Sequence, residues 1–276
     1  MLTEENVRQF KNHGFTACHT FFDLEETAAM QGELLRLQRA GLLNNVATDG
    51  DGRTASRTRR NLQLCPMYPH SRLFRALPFD PRVTSAASML IGDPVVLRLD
   101  QVFLKPAGDG SGTNWHQDNA YFTVSDPFSG AAMWIAVHEA RATNGTIRVI
   151  PDCTRPLEHK RDPDSNHHIR CYPDESRAVT LELPAGGVAF FSYGTPHCTG
   201  ANPTGSDRAG VAFHFCRAEC MDEDGQVGGR RIPGYHPVLT GTDAAGGADA
   251  YGEIVAGTWR AQVQVALEEY RRAAAE

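Results

Sequence analysis

His116 and Asp118 stand two positions apart in Asn114-Trp115-His116-Gln117-Asp118, and a third candidate ligand, His197, lies far along the chain. On an extended strand, side chains two apart leave the same face, so His116 and Asp118 can aim at one spot. Two neutral imidazoles and one carboxylate form a donor set that suits Fe(II), and Zn(II) or Mn(II) can use the same ligands. Three protein ligands leave coordination positions open for small molecules, as in the facial triads of non-haem iron sites. Arg208, eleven positions beyond His197, offers a fixed cation for a carboxylate. A lone His-x-Asp triplet is weak, since a solvated strand supplies such pairs by chance. Its weight depends on the elements that must bring the parts together.

The 276 residues suffice for one well-buried domain. An apolar content of 41% with 22% charged residues is ordinary globular composition. A net charge of −6 argues against nucleic acid as partner, because a phosphate backbone calls for a basic face. No apolar run is long enough for a membrane span, and the acidic start lacks the features of a signal peptide. Seven cysteines with no Cys-x-x-Cys pair read as reduced thiols of a cytoplasmic protein. The partner expected is a small molecule, and the composition leaves both a monomer and a homodimer open.

Helices are expected at residues 3–12, 23–41 and 82–91, within a helical preface spanning 1–93. Asp23 followed by Glu26 has the spacing of a capping box. Residues 44–61, polar and arginine-containing, read as a loop. Strands are expected at 95–105, 113–123, 131–140, 146–150, 178–183, 188–193, 196–199 and 208–217. Gly, Pro, Asp and Asn breakers separate them, and a polar insertion occupies 151–175. This order points to a mainly β protein with flanking helices around a double-stranded β-helix, a cupin-like jelly roll, over 94–218. An irregular region and a helix follow over 219–276, all within a single domain, 1–276.

Further segments match a known family in order. They are Lys105-Pro106, Trp115-His116-Gln117-Asp118-Asn119-Ala120-Tyr121-Phe122, Met133-Trp134-Ile135-Ala136 and Asn144-Gly145-Thr146-Ile147. Gly186-Gly187-Val188-Ala189-Phe190-Phe191 follows, then His197-x-Thr199-x-x-Asn202 and Arg208-x-Gly210. With these the chain resembles the phytanoyl-CoA dioxygenase family of Fe(II)- and 2-oxoglutarate-dependent oxygenases, most densely from residue 101 to 215. The resemblance implies that His116, Asp118 and His197 bind Fe(II) and that Arg208 pairs with the distal carboxylate of 2-oxoglutarate. It also places Gln101, Trp134 and Thr199 around that co-substrate. The implied reaction consumes O2 and 2-oxoglutarate, releases succinate and CO2, and hydroxylates an unactivated C–H bond. In related halogenases a small residue replaces the carboxylate ligand, so Asp118 implies hydroxylation or desaturation rather than halogen transfer.

Other readings of single residues stand beside these. Trp134 also fits a core aromatic, while Gln101 and Thr199 fit interior polar groups satisfied by backbone. His214 reads first as a buried, hydrogen-bonded histidine, and His167-His168 as a solvated loop pair. Asn119, Tyr121 and Phe122 are expected to line the pocket mouth and meet substrate. Arg53, Arg57, Arg59 and Arg60, with Arg155, Arg161 and Arg170, could greet an anionic substrate or be solvated loop charge, and the substrate expected is a small or medium polar metabolite bearing a carboxylate or phosphonate. Pro151-Asp152-Cys153-Thr154 departs from the Pro-Gly-Ser-His turn of many family members, so substrate contacts from that turn do not carry over. Two rival functions use the same ligands. A zinc hydrolase would need a general base such as the glutamate of a His-Glu-x-x-His helix, which the chain lacks. A metal-binding cupin-like protein without turnover would have no use for Arg208.

Overall fold

The structure, a computed structural model, describes residues 2–49, 51, 53–160, 169–221 and 236–275. Its strands are β1 (Phe15–Cys18), β2 (Asn44–Asn45), β3 (Leu62–Leu64), β4 (Val95–Lys105), β5 (Thr113–His116), β6 (Gly130–Ala136), β7 (Ile147–Val149), β8 (Val179–Leu181), β9 (Val188–Ser192), β10 (His197–Thr199) and β11 (Arg208–Arg217). The helices are α1 (Glu4–His13), α2 (Leu24–Arg39), α3 (Arg72–Ala76), α4 (Pro81–Ile91), α5 (Asn119–Phe122), α6 (Ala248–Tyr251) and α7 (Trp259–Ala275). A large antiparallel sheet runs β1-β9-β6-β11-β4-β3-β2, and a small one runs β5-β10-β7-β8. This is the cupin-like jelly roll with flanking helices.

Strand alternation gives the large sheet two buried faces. On β6 and β11, Met133, Ile135, Val211, Phe213 and Phe215 face a core completed by residues of α2, α4 and α7, including Leu34, Leu37, Val83, Leu90 and Val263. The intervening Ala132, Trp134, Ala136 and Ala212 face the small sheet together with Ile147, Val149 and Phe191. Small residues alternate there with one tryptophan, which leaves room for a cavity between the sheets.

The helices begin where the caps place them. Asp23 accepts from the Glu26 amide and Glu26 returns the bond to the Asp23 amide, completing the capping box of α2. Three expectations shift. Strand 113–123 stops at His116, because the chain turns at Gln117-Asp118 and α5 begins; the Tyr121 and Phe122 amides both donate to the Asp118 carbonyl, at 2.9 and 3.1 Å. Asp118 itself has helical φ −59° and ψ −31°. The loop expected at 44–61 opens with β2, and β3 follows directly, pairing with β4 at Leu62↔Leu104 and Leu64↔Val102. Strands of two and three residues carry too little alternation to stand out in a sequence. Helices α3 and α6 were not foreseen, being one turn each.

Candidate metal centre and co-substrate pocket

The last residue of β5 and the first of β10 are direct partners, so His116 and His197 face each other across the small sheet. Their ring centroids are 4.2 Å apart. Asp118 joins them from the turn after β5, and the three donor groups lie within 4.8 Å of one another, all buried. Convergence of His116 and Asp118 therefore comes from a strand-to-helix turn, not from two positions on one strand. Oδ1 of Asp118 lies 3.9 Å from His116 Nε2 and 3.7 Å from His197 Nε2.

Backbone carbonyls set both imidazole tautomers. Nδ1 of His116 is 2.7 Å from the Asn114 carbonyl, and Nδ1 of His197 is 3.1 Å from that of Thr195. A carbonyl only accepts, so each Nδ1 carries the proton and each Nε2 turns a lone pair toward Asp118. Burial opposes charge at the site, pushing His116 down to about 4 and the Asp118 carboxyl up to about 8. A divalent cation suits these donors: it uses the two lone pairs as they stand and repays the carboxylate for its burial. Gln117, between the two ligands, acts as a staple. Its side chain donates to the Arg155 carbonyl and accepts from the Leu157 amide, while its own amide donates to His159 Nε2 at 3.0 Å.

A cavity of about 480 Å³ opens beside the triad. Two buried basic side chains line it, Arg208 and Lys105, direct partners across β11 and β4. The Arg208 guanidinium donates to the Gly145 carbonyl and stands 5.5 Å from the centroid of the Trp134 ring. Lys105 Nζ donates to Thr199 Oγ1 at 2.6 Å and to the Gly200 carbonyl. Burial pulls Arg208 down to about 9, still charged at neutral pH. Burial, reinforced by the Arg208 cation, pulls Lys105 well below its ordinary value. No carboxylate offsets either among the described residues. Two adjacent buried cations without an anion are unfavourable, and the carboxylate of a bound dicarboxylic acid is what they lack.

Two glycines permit the close packing around Trp134 and Arg208. A Cβ on Gly210 would stand 2.4 Å from Trp134, so only glycine lets the indole lie against β11. Gly145 has φ +78°, and a Cβ there would stand 2.3 Å from the Gly200 carbonyl oxygen. Gly145→Ala is therefore expected to displace the carbonyl that receives Arg208 and to cost at least about 1 kcal/mol through left-handed strain alone. Thermal melting and 2-oxoglutarate affinity should fall together; an unchanged melt would contradict the strain.

Gln101, Trp134, Thr199, Arg208, Tyr121 and Phe122 all line the cavity with the triad. Asn119 does not. Its side chain closes the turn after α5 instead, donating to the Val124 carbonyl at 3.0 Å and accepting from the Val124 amide at 2.8 Å. The arginines in the described part of the two basic stretches are absent from the lining. Arg59 donates to the Thr48 carbonyl, Arg60 pairs with Asp109 at 2.7 Å, and Arg170 packs over Tyr172. Arg161 and His167-His168 lie outside the described residues. Lys105 is the residue that sequence reasoning passed over, although it sits in phase with Gln101 on an alternating strand. His214 was read as a satisfied core histidine, yet it lines the cavity and its Nδ1 has no hydrogen-bond partner.

The chain resembles the ectoine dioxygenase of Bordetella bronchiseptica, at 24% identity over 235 residues, 76% of this chain and 74% of that protein. Among solved structures, EctD from S. alaskensis with 2-oxoglutarate and 5-hydroxyectoine superposes with a TM-score of 0.65 at 19% identity, covering 88% of this chain and 85% of that one. The 2-oxoglutarate-dependent carbocyclase SnoK of nogalamycin biosynthesis superposes with a TM-score of 0.70 at 17% identity, covering 87% and 97%. Residues 10–210 match the profile of phytanoyl-CoA dioxygenase (PhyH), and the chain belongs to that family of Fe(II)/2-oxoglutarate-dependent dioxygenases.

Proposed function

We propose that this dioxygenase hydroxylates an unactivated C–H bond of a small, uncharged polar metabolite, releasing succinate and CO2. The observation that carries the reading is that one cavity is lined by the two buried basic side chains Arg208 and Lys105, the triad, and neutral polar and aromatic side chains. His116, Asp118 and His197 hold Fe(II), whose chemistry when bound is activation of dioxygen coupled to oxidative decarboxylation of 2-oxoglutarate. Arg208 and Lys105 hold the distal carboxylate of 2-oxoglutarate, and Thr199 keeps the Lys105 ammonium aimed. Trp134, Ile147 and Phe191 exclude water around that co-substrate.

We assign to the substrate Gln63, Leu99, Phe103, Tyr121 and Ile169, which share the lining. Their amides and aromatic faces favour a polar neutral molecule over the carboxylate or phosphonate that the arginine-rich stretches suggest. The volume suits a co-substrate with a small or medium metabolite. We take residues 1–276 to work as one catalytic unit in the cytoplasm, where seven thiols stay reduced.

Anaerobic addition of Fe(II) and 2-oxoglutarate should give the weak visible charge-transfer band of the chelate, and oxygen should then yield succinate. A colourless sample with an intact fold would reject the assignment. Panels of neutral and anionic metabolites test the substrate class. Tight coupling of succinate to product with anions only would overturn the neutral reading.

A further inference from the structure

His214 lies on β11 opposite Leu99 of β4 and Ala132 of β6, buried, with its ring in the cavity wall. A β-bulge follows it, between His214 and Phe215. The ring is bracketed by Phe122, at 5.3 Å between centroids, and Tyr193, at 6.1 Å. Its Nδ1 stands 3.5 Å from Oδ2 of Asp118, the carboxylate oxygen that is not the one nearest the two ligand imidazoles. Among the described residues neither Nδ1 nor Oδ2 has a hydrogen-bond partner, although both are buried. Orphans of that kind are costly, and here each is the complement of the other.

The tautomer follows from the other side of the ring. Gln63 donates to Gln101 Oε1 at 2.9 Å, so the Gln101 amide nitrogen is the atom 3.2 Å from His214 Nε2. An amide nitrogen only donates, so Nε2 accepts. The proton of the neutral ring is then on Nδ1, directed at Asp118. An imidazolium would set N–H against N–H at Gln101.

We propose that His214 is a positioning residue: it holds Oδ2 of Asp118 through Nδ1, leaving Oδ1 as the single oxygen offered to the metal. The Gln63–Gln101 pair sets the tautomer that makes this contact attractive. A group on the substrate wall is thereby tied to the geometry of a metal ligand. The inference rests on the iron-site reading and adds a determinant of how that site is held.

The test is metal binding by the full chain, with no turnover required. Co(II) affinity is measured by calorimetry and ligand geometry by the visible spectrum of the Co(II) form. His214→Leu is expected to weaken Co(II) about 10–100-fold, the usual loss when a ligand's hydrogen-bond partner is removed, and to change the spectrum. His214→Asn keeps an N–H donor near the Nδ1 position and should recover most of the affinity. Gln101→Leu leaves His214 in place but frees its tautomer, so it should move the spectrum the same way. It also serves if the leucine variant does not fold. Parent-like affinity and spectrum in folded His214→Leu overturn the role of His214 alone, as does a parent-like Gln101→Leu when it stands in for that variant. A parent protein that binds no Co(II) or Fe(II) overturns the iron-site reading and this inference with it.

Discussion

Asp118→Ala is expected to abolish turnover by removing the single anionic ligand of the triad. The two imidazoles that remain are neutral, with no negative charge to offset a divalent cation in a buried setting. Losing an outer partner of a ligand costs about 10–100-fold in metal affinity, so losing the ligand itself should cost at least about 100-fold. Succinate formation should fall to background at Fe(II) concentrations that saturate the parent. The fold should persist, because the one group that the substitution would strand is the His214 N–H, in the cavity wall. A variant that kept parent-like metal affinity would show that Asp118 is not a ligand.

The same carboxyl gives metal uptake a pH dependence with a definite sign. Burial holds Asp118 up to about 8, so near pH 7 it is mostly protonated before a cation arrives. Binding requires the carboxylate and expels that proton. Apparent affinity should therefore rise by up to about tenfold per pH unit as pH climbs toward 8, then level off. His116, pushed down to about 4, is already neutral over that range and adds no slope. Calorimetry in buffers of different ionisation enthalpy should show release of most of one proton at pH 7 and little above pH 9. Equal release at both would contradict the burial argument.

Arg208→Met should raise the dissociation constant for 2-oxoglutarate while leaving Co(II) binding intact. Removing one partner of a buried, hydrogen-bonded charge pair costs about 2–5 kcal/mol, which is roughly 30-fold to several thousand-fold in affinity. Lys105→Met should cost less, about 1.5–3 kcal/mol for a hydrogen bond to a charged group. The lysine variant has a second expected effect of opposite sign. In the protein without co-substrate, Lys105 is a buried amine whose charged form is opposed by burial and by the Arg208 cation, so replacing it with an apolar side chain of similar length should raise the melting temperature. Stability gained and co-substrate affinity lost in one variant would mark Lys105 as a group kept for binding. A variant that lost both would assign it a structural role instead.

The helices and long strands were legible because each carries a local physical signal. Asp23 and Glu26 announce α2 through reciprocal hydrogen bonds, and the alternation of 95–105 survives as β4 with its ends unchanged. Strands β2 and β3 left no such signal, since their pairing with β4 supplies the stability that their few residues lack. Asn119 shows the limit of reading by proximity. It follows the ligands in sequence, yet the turn at Gln117-Asp118 directs its amide into a loop closure.

What the sequence determined by itself was the donor set, two histidines, one aspartate and an arginine in phase with the second histidine, and a run of segments whose resemblance to a known family implied metal, co-substrate and reaction class. These are properties of residue type and spacing, which the chain carries before it folds. Only the tertiary structure decided that Lys105 stands beside Arg208, and that His214 faces the free oxygen of Asp118. It alone decided that the described arginines of the polar stretches are absent from the cavity lining. Those relations join strands distant in sequence, and burial alters their charges in ways that no local pattern encodes. A lysine at the end of a strand reads as surface charge until pairing with β11 encloses it.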